Sequence, residues 1–165
     1  MKRLLMISCL ALLWACDDTS IESEAANSEG GERYLYIETS VAADTAGGSY
    51  DLLYSESSHS VLIYSKYHPG IEGTFDTDHT EYLALEIPEG LTEFEVHSME
   101  ELEKMGLELY YTRSCECYAG PFDLELNLLK GKRLTTSRWE LTFDIQIEDG
   151  NNKLQMRDTG DYRKP

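Results

Sequence analysis

The sequence predicts an all-β fold: an antiparallel β-sandwich or barrel of about eight strands, with one short helix near residues 98–106. Three observations carry that prediction. From Tyr34 onward apolar residues recur with a period of two, which lines one face of a strand and leaves the other wet. The alternating runs are short and are separated by clusters of Gly, Pro, Asn and Asp, as in sandwiches and barrels. A single segment combines helical spacing with start and stop signals.

In chain order, Tyr34–Val41, Ser49–Ser55 and Val61–Lys66 are the first strand candidates. Leu83, Leu85 and Ile87 alternate with polar or small residues before Pro88-Glu89-Gly90, and Phe94 and Val96 repeat the pattern. Ser98-Met99-Glu100-Glu101 then forms a capping box, in which the serine hydroxyl and the glutamate satisfy unpaired amides at a helix start. Met99, Leu102 and Met105 make a short apolar stripe, and Gly106 is placed to stop the helix. Leu107, Leu109 and Tyr111 return to period two. Phe122, Leu124, Leu126 and Leu128 alternate with Asp123, Glu125 and Asn127, after which Lys130-Gly131-Lys132 is expected to turn the chain. The clearest strand is Trp139–Ile147, with Trp139, Leu141, Phe143, Ile145 and Ile147 on one face. Glu148–Asn152 supplies a tight turn, and Leu154 and Met156 continue the alternation in a partner strand. No internal repeat is visible.

The first sixteen residues follow different rules. Met1-Lys2-Arg3 is a short basic start, Leu4–Ala15 is an uncharged apolar run, and Leu13-Trp14-Ala15-Cys16 closes it. The run is well short of the roughly 20 residues a spanning helix needs. This segment resembles the signal peptide of bacterial lipoproteins. Leu13 and Ala15 match the usual lipobox, and Trp14 stands where a small or aliphatic residue is commoner. The resemblance covers residues 1–16 alone. It implies that the bond before Cys16 is cut, that the Cys16 thiol is lipidated, and that the chain is held at a membrane of the bacterial cell envelope, facing the periplasm. Asp17 and Asp18 resemble the inner-membrane retention signal of enteric-type bacteria; other groups sort differently, so inner and outer membrane both stay open. An ordinary signal peptide cut near Ala15 would instead leave Cys16 as a free thiol.

Residues 17–33 carry six acids, one base and almost nothing to bury, which reads as a disordered acidic tether. Flexible-chain scaling gives it a span of roughly 20–25 Å. The expected organisation is thus a signal peptide over 1–16, a tether over 17–33 and a single β-rich domain over 34–165.

The formal net charge is −17, from 31 acidic and 14 basic residues. Cleavage before Cys16 would remove Lys2 and Arg3 and no acid, deepening the charge from −17 to −19. Such a charge repels nucleic acid and anionic lipid. It is compatible with a basic protein or with calcium, and it also keeps an exported protein dispersed.

Of four cysteines, Cys9 leaves with the signal and Cys16 takes lipid, so Cys115 and Cys117 remain. This is no disulfide-rich scaffold. The Cys115-Glu116-Cys117 pair admits three readings. They are a local disulfide where the chain bends near Tyr118-Ala119-Gly120-Pro121, two unremarkable thiols, or a soft-metal clamp for Cu or Zn. Asp76-Thr77-Asp78-His79-Thr80-Glu81 gathers carboxylates that could face calcium through Asp76, Asp78 and Glu81; surface loops are also acidic for solvation alone. The histidines at 59, 68, 79 and 97 are scattered, and none has ligand spacing to another.

No nucleophile elbow, zinc-protease motif, phosphate-binding glycine loop or dinucleotide fingerprint is present, so neither catalysis nor a cofactor is expected. Eleven tyrosines suit both strands and binding surfaces. Tyr64 and Tyr67, flanking Lys66, are expected as exposed contacts. The expected function is that of a lipid-anchored envelope binding protein, such as an inhibitor or immunity protein against a cationic envelope-acting protein. The alternatives are a metal-handling or redox protein using Cys115 and Cys117, and a structural component of the envelope.

Overall fold

The computed structural model describes residues 31–44, 51–70, 78–114, 122–150 and 152–164. Within these lie β1 (Glu32–Asp44), β2 (Asp51–His68), β3 (His79–Ile87), β4 (Glu93–Val96), α1 (Met99–Lys104), β5 (Glu108–Ser114), β6 (Asp123–Thr135), β7 (Arg138–Asp149) and β8 (Asn152–Arg163). The eight strands make one sheet in the order β4-β6-β7-β8-β1-β2-β3-β5, curled into a half-barrel. All-β architecture with one short helix is therefore what the described residues adopt. The sheet is mixed rather than wholly antiparallel. β1 and β8 meet in parallel at the pair Tyr34–Arg163, while the other neighbouring strands pair antiparallel.

Alternation decides which side chains enter the core. On β7, Trp139, Leu141, Phe143, Ile145 and Ile147 are buried. They face Leu35, Leu62, Leu83, Leu85 and Ile87 from the other half of the sheet across the concave side. Tyr64 of β2 meets the Phe143 ring edge-on at 5.4 Å, a contact that only curling can bring about. The segment β4-α1-β5 connects the two edge strands of the sheet, and Leu102 and Leu107 fill the core beneath it. The helix has the expected cap. Ser98 Oγ accepts from the Glu101 amide at 3.2 Å, and the Glu101 carboxylate accepts from the His97 amide at 2.7 Å. Gly106 ends the turn with φ +69°, a left-handed conformation that glycine tolerates best.

Four details depart from expectation. Glu32 and Arg33, the last two residues of the expected tether, open β1. Asp51–Ser55, the described part of the Ser49–Ser55 candidate, and Val61–Lys66 do not form separate strands; they belong to the single long strand β2. Lys130-Gly131-Lys132 does not turn the chain but continues β6 to Thr135. Gly131 stands opposite Phe94, and its missing side chain makes room for that ring: a Cβ there would sit 2.2 Å from Phe94 Cζ. Finally, Leu128 does not share a face with Leu126. Asn127 is an extra residue between Leu126–Ile145 and Leu128–Asp144, and this bulge shifts the phase so that Leu129 enters the core.

A larger irregularity sits in the β1–β2 hairpin. Between the pairs Ile37–Ser60 and Thr39–Glu56, β1 has only Glu38 while β2 has Ser57, Ser58 and His59. Glu38 takes φ +55°. Beyond this point the hairpin, residues 39–44 paired with 51–56, folds back over the convex face. Ser40 reaches Glu86 of β3, although β2 lies between β1 and β3 in the sheet.

Candidate functional site

Two sites emerge, one on each face of β1, β2, β3 and β5. The registers Tyr34–Ile63, Ile63–Ala84 and Ala84–Tyr110 run straight across these four strands. One step along, Glu32, Ser65, Tyr82 and Thr112 form a second row. Tyr36, Val61, Glu86 and Glu108 form a third. All of these residues lie on the convex face, because strand side chains alternate and the intervening Leu35, Leu62, Leu83, Leu85 and Leu109 are in the concave core.

On the convex face Val41, Val61, Ile63 and Ala84 form a small buried cluster, with Tyr34, Tyr36, Tyr82, Tyr110 and Leu52 half-buried around it. The folded-back hairpin contributes Val41 and Leu52 to this cluster. Tyr54, also from the hairpin, is exposed and lies with its ring 5.6 Å from that of Tyr36. The Tyr34 hydroxyl donates to Glu32 at 2.5 Å, and the Tyr110 hydroxyl donates to Glu108. Both phenols are pushed above their ordinary range: Tyr34 first by its bond to Glu32, Tyr110 first by burial and then by Glu108. They stay neutral donors.

The charges on these strands are sorted by face. Arg33, Lys66 and Arg113 are the only Lys or Arg residues of β1, β2, β3 and β5. Arg33 alternates with Tyr34, Lys66 pairs with Glu81, and Glu81 pairs with Arg113. All three therefore take concave-face positions, and the convex rows of these four strands carry tyrosine and glutamate without a Lys or Arg; Arg163 of β8, the register partner of Tyr34, flanks the first row and pairs with Asp161.

Glu86 fastens the hairpin to this face. Its buried carboxylate accepts from the Val41 amide at 2.9 Å and lies 2.9 and 3.0 Å from the Ser40 hydroxyl; the His59 ring bonds it as well. Burial pushes this carboxyl up, but Val41, His59 and Ser40 together outweigh burial and hold it below its ordinary value.

On the concave face, at the end of the sheet where β2 stops and β3 starts, Glu81 is buried among polar partners. His68 and His79 are cross-strand partners, and their rings stack 4.5 Å apart and nearly parallel. The two carboxylate oxygens of Glu81 divide between them: Oε2 lies 2.8 Å from His68 Nε2 and Oε1 lies 3.9 Å from His79 Nε2. Tyr111 donates to Oε1 at 2.8 Å, and Arg113 approaches it at 3.4 Å. Arg113 also bonds Asp149 of β7 at 3.1 Å, so the network crosses from one half of the sheet to the other. Burial, then the Glu81 charge, raises the Tyr111 phenol, which keeps its proton. Among the described residues His68, His79 and Glu81 are the group that could share a metal ion, their ligand atoms lying within 4.8 Å of one another.

Several expected site residues are placed differently. Tyr64 is not an exposed contact: it is 1% exposed and packs in the concave core. The reason is parity, since Tyr64 and Tyr67 are three apart and must point to opposite faces. Tyr67 is the exposed one, at 61%. Lys66 is half-buried on the Tyr64 side. Asp78 is exposed ahead of β3 and does not join the Glu81 cluster, where imidazoles replace the expected oxygen donors. Cys16, Asp76, Cys115 and Cys117 lie outside the described residues. The histidine pair was missed because 68 and 79 are far apart in sequence, and only the β2–β3 register makes them neighbours. No family model, curated protein or solved structure matches the chain.

Proposed function

We propose that this chain is a lipid-anchored binding protein of the bacterial envelope that acts without catalysis. Its partner is a cationic envelope-acting protein, engaged as an inhibitor or immunity protein would engage it. The observation that carries the reading is the sorting of charge on β1, β2, β3 and β5. Their convex face offers half-exposed tyrosines and carboxylates with no Lys or Arg among them.

Physically, such a face suits lysine and arginine side chains. Tyrosine gives a stiff apolar plate with a polar tip, and its ring face attracts cations. Glu32 and Glu108 beside the phenols add charge complementarity, which speeds encounter and fixes orientation. The net charge, −17 for the whole chain and −19 once Lys2 and Arg3 are removed, would steer a basic partner from a distance, and salt would weaken that steering. Cys16, as the lipid-bearing residue, would keep the protein at the membrane where such a partner acts.

The test is a titration of the full-length protein, in detergent micelles, against basic peptidoglycan hydrolases at low and moderate salt. Binding that weakens with salt, and falls about tenfold or more for Tyr82→Ala with Tyr110→Ala, is the expected result. No salt-sensitive binding to any of them, or binding indifferent to the tyrosine changes, would sink the reading.

A further inference from the structure

We propose that His68, His79 and Glu81 form a binding site for a divalent transition-metal ion, of which Zn(II) or Cu(II) is the fitting class. The site is separate from the tyrosine face, lying on the opposite side of the same strands, and does not depend on the function proposed for that face.

The donor set is the first argument. Two imidazole nitrogens and one carboxylate suit Zn(II) and Cu(II) and fit poorly to calcium or magnesium, which favour shells of oxygen. Placement is the second. Cross-strand pairing fixes the two histidine backbones opposite each other, and Glu81, two residues from His79 on the same strand, projects from the same face. The carboxylate already spans both rings, one oxygen toward each. Metal–ligand bonds of about 2.0–2.2 Å in tetrahedral geometry put ligand atoms roughly 3.4 Å apart. Drawing in from the present spacing of up to 4.8 Å therefore asks the outermost ligand atoms to approach by up to about 1.4 Å. The histidine side chains are 28% and 26% exposed, so an ion can reach them and solvent can complete its shell.

Charge and support are the third argument. Arg113 is the cation nearest Glu81, but it also pairs with Asp149. Asp149 therefore shares the Arg113 guanidinium with Glu81, and Lys66 is the cross-strand partner of Glu81 on the same face. The Tyr111 hydroxyl bonds Glu81 Oε1 and so orients the carboxylate, as outer partners of metal ligands do. Glu81 would exchange its hydrogen bond with His68 for a shared metal.

The test uses the full-length protein in detergent with Cys115→Ser and Cys117→Ser, so that no thiolate there contributes. Isothermal titration with Zn(II) is expected to show one ion per chain. His79→Ala should weaken binding about tenfold or more, His68→Ala with His79→Ala should abolish it, and His97→Ala should leave it unchanged. Circular dichroism of each variant reports whether the fold is kept. A second measurement needs no histidine variant: Cu(II) bound to the same protein should show nitrogen superhyperfine splitting from two imidazoles in its electron paramagnetic resonance spectrum. Absence of zinc binding, binding that survives loss of both histidines, or a copper spectrum without imidazole nitrogen would overturn the proposal.

Discussion

Arg33 lays its guanidinium across Gly160 and donates two hydrogen bonds to Asp158, from Nε at 2.6 Å and from Nη2 at 2.5 Å. The pair spans the seam between β1 and β8, where backbone pairing amounts to Tyr34–Arg163. A Cβ on Gly160 would lie 2.4 Å from Arg33 Nε, so the glycine is what lets the fork lie flat. The Asp158 bond, ahead of the opposing effect of burial, raises the Arg33 guanidinium above its ordinary value.

Loss of this clasp should be costly. Arg33→Ala leaves the Asp158 carboxylate, 4% exposed, without its partner, and should destabilise the fold by about 3 kcal/mol in urea titration. Arg33→Lys keeps the charge but not the two-pronged geometry, and should fall between. Gly160→Ala should cost about 1–2 kcal/mol by displacing the guanidinium. That cost should largely vanish in an Arg33→Ala background, a non-additivity that a double-mutant cycle reads directly.

Acid should release the folded-back hairpin before it unfolds the sheet. Glu86 is held below its ordinary value of 4.5. Its contribution is therefore complete above the unfolded-state pKa and is lost as pH falls through the lower, folded-state value. Hydrogen exchange at Val41 and its neighbours should accelerate progressively as pH falls below 4.5 while β7 stays protected. Glu86→Gln should loosen the same amides at neutral pH by about 2 kcal/mol. Equal acid sensitivity in hairpin and β7 would count against a separate latch.

Filling the space over Gly131 should be destabilising. An added methyl would meet Phe94 Cζ at 2.2 Å, and the Phe94 ring in turn lies 6.0 Å from Trp139. Gly131→Ala should cost about 1–3 kcal/mol and shift the fluorescence of buried Trp139. An unchanged emission spectrum and midpoint would show that the ring moves aside freely.

The ends of α1 should each be worth a smaller amount. Ser98→Ala removes the acceptor for the Glu101 amide and should cost about 1 kcal/mol. Gly106→Ala places a side chain at φ +69° and should cost about the same. Thermal midpoints would measure both.

Much of the fold was legible because period-two alternation is a direct image of a half-buried strand. Trp139–Ile147, Leu83–Ile87 and the capped helix at Ser98 show this. What alternation cannot show is where its phase slips. The bulge at Asn127 and the irregularity at Glu38 each need a partner strand to define them. Gly131 reads as a turn signal until Phe94 is known to cover it. The sites were less legible for the same reason. Tyr64 and Tyr67 could have been separated by counting parity alone. By contrast, His68 meets His79 only through hairpin register, and Arg33 meets Asp158 across 125 residues of chain. Long-range pairing leaves no local mark.

The position of β1 in the sheet order has a mechanical consequence. It lies between β8 and β2 and is the strand by which the chain enters the described fold. Tension applied at Glu32 runs along the β1 axis. It would load the long antiparallel ladder with β2 in shear, many hydrogen bonds at once, rather than peel them apart singly. The Arg33–Asp158 clasp sits at the point of attachment and would take the first strain. For a protein proposed to hang from a membrane by its N-terminal side while holding a partner, this arrangement resists being pulled open from the anchored end.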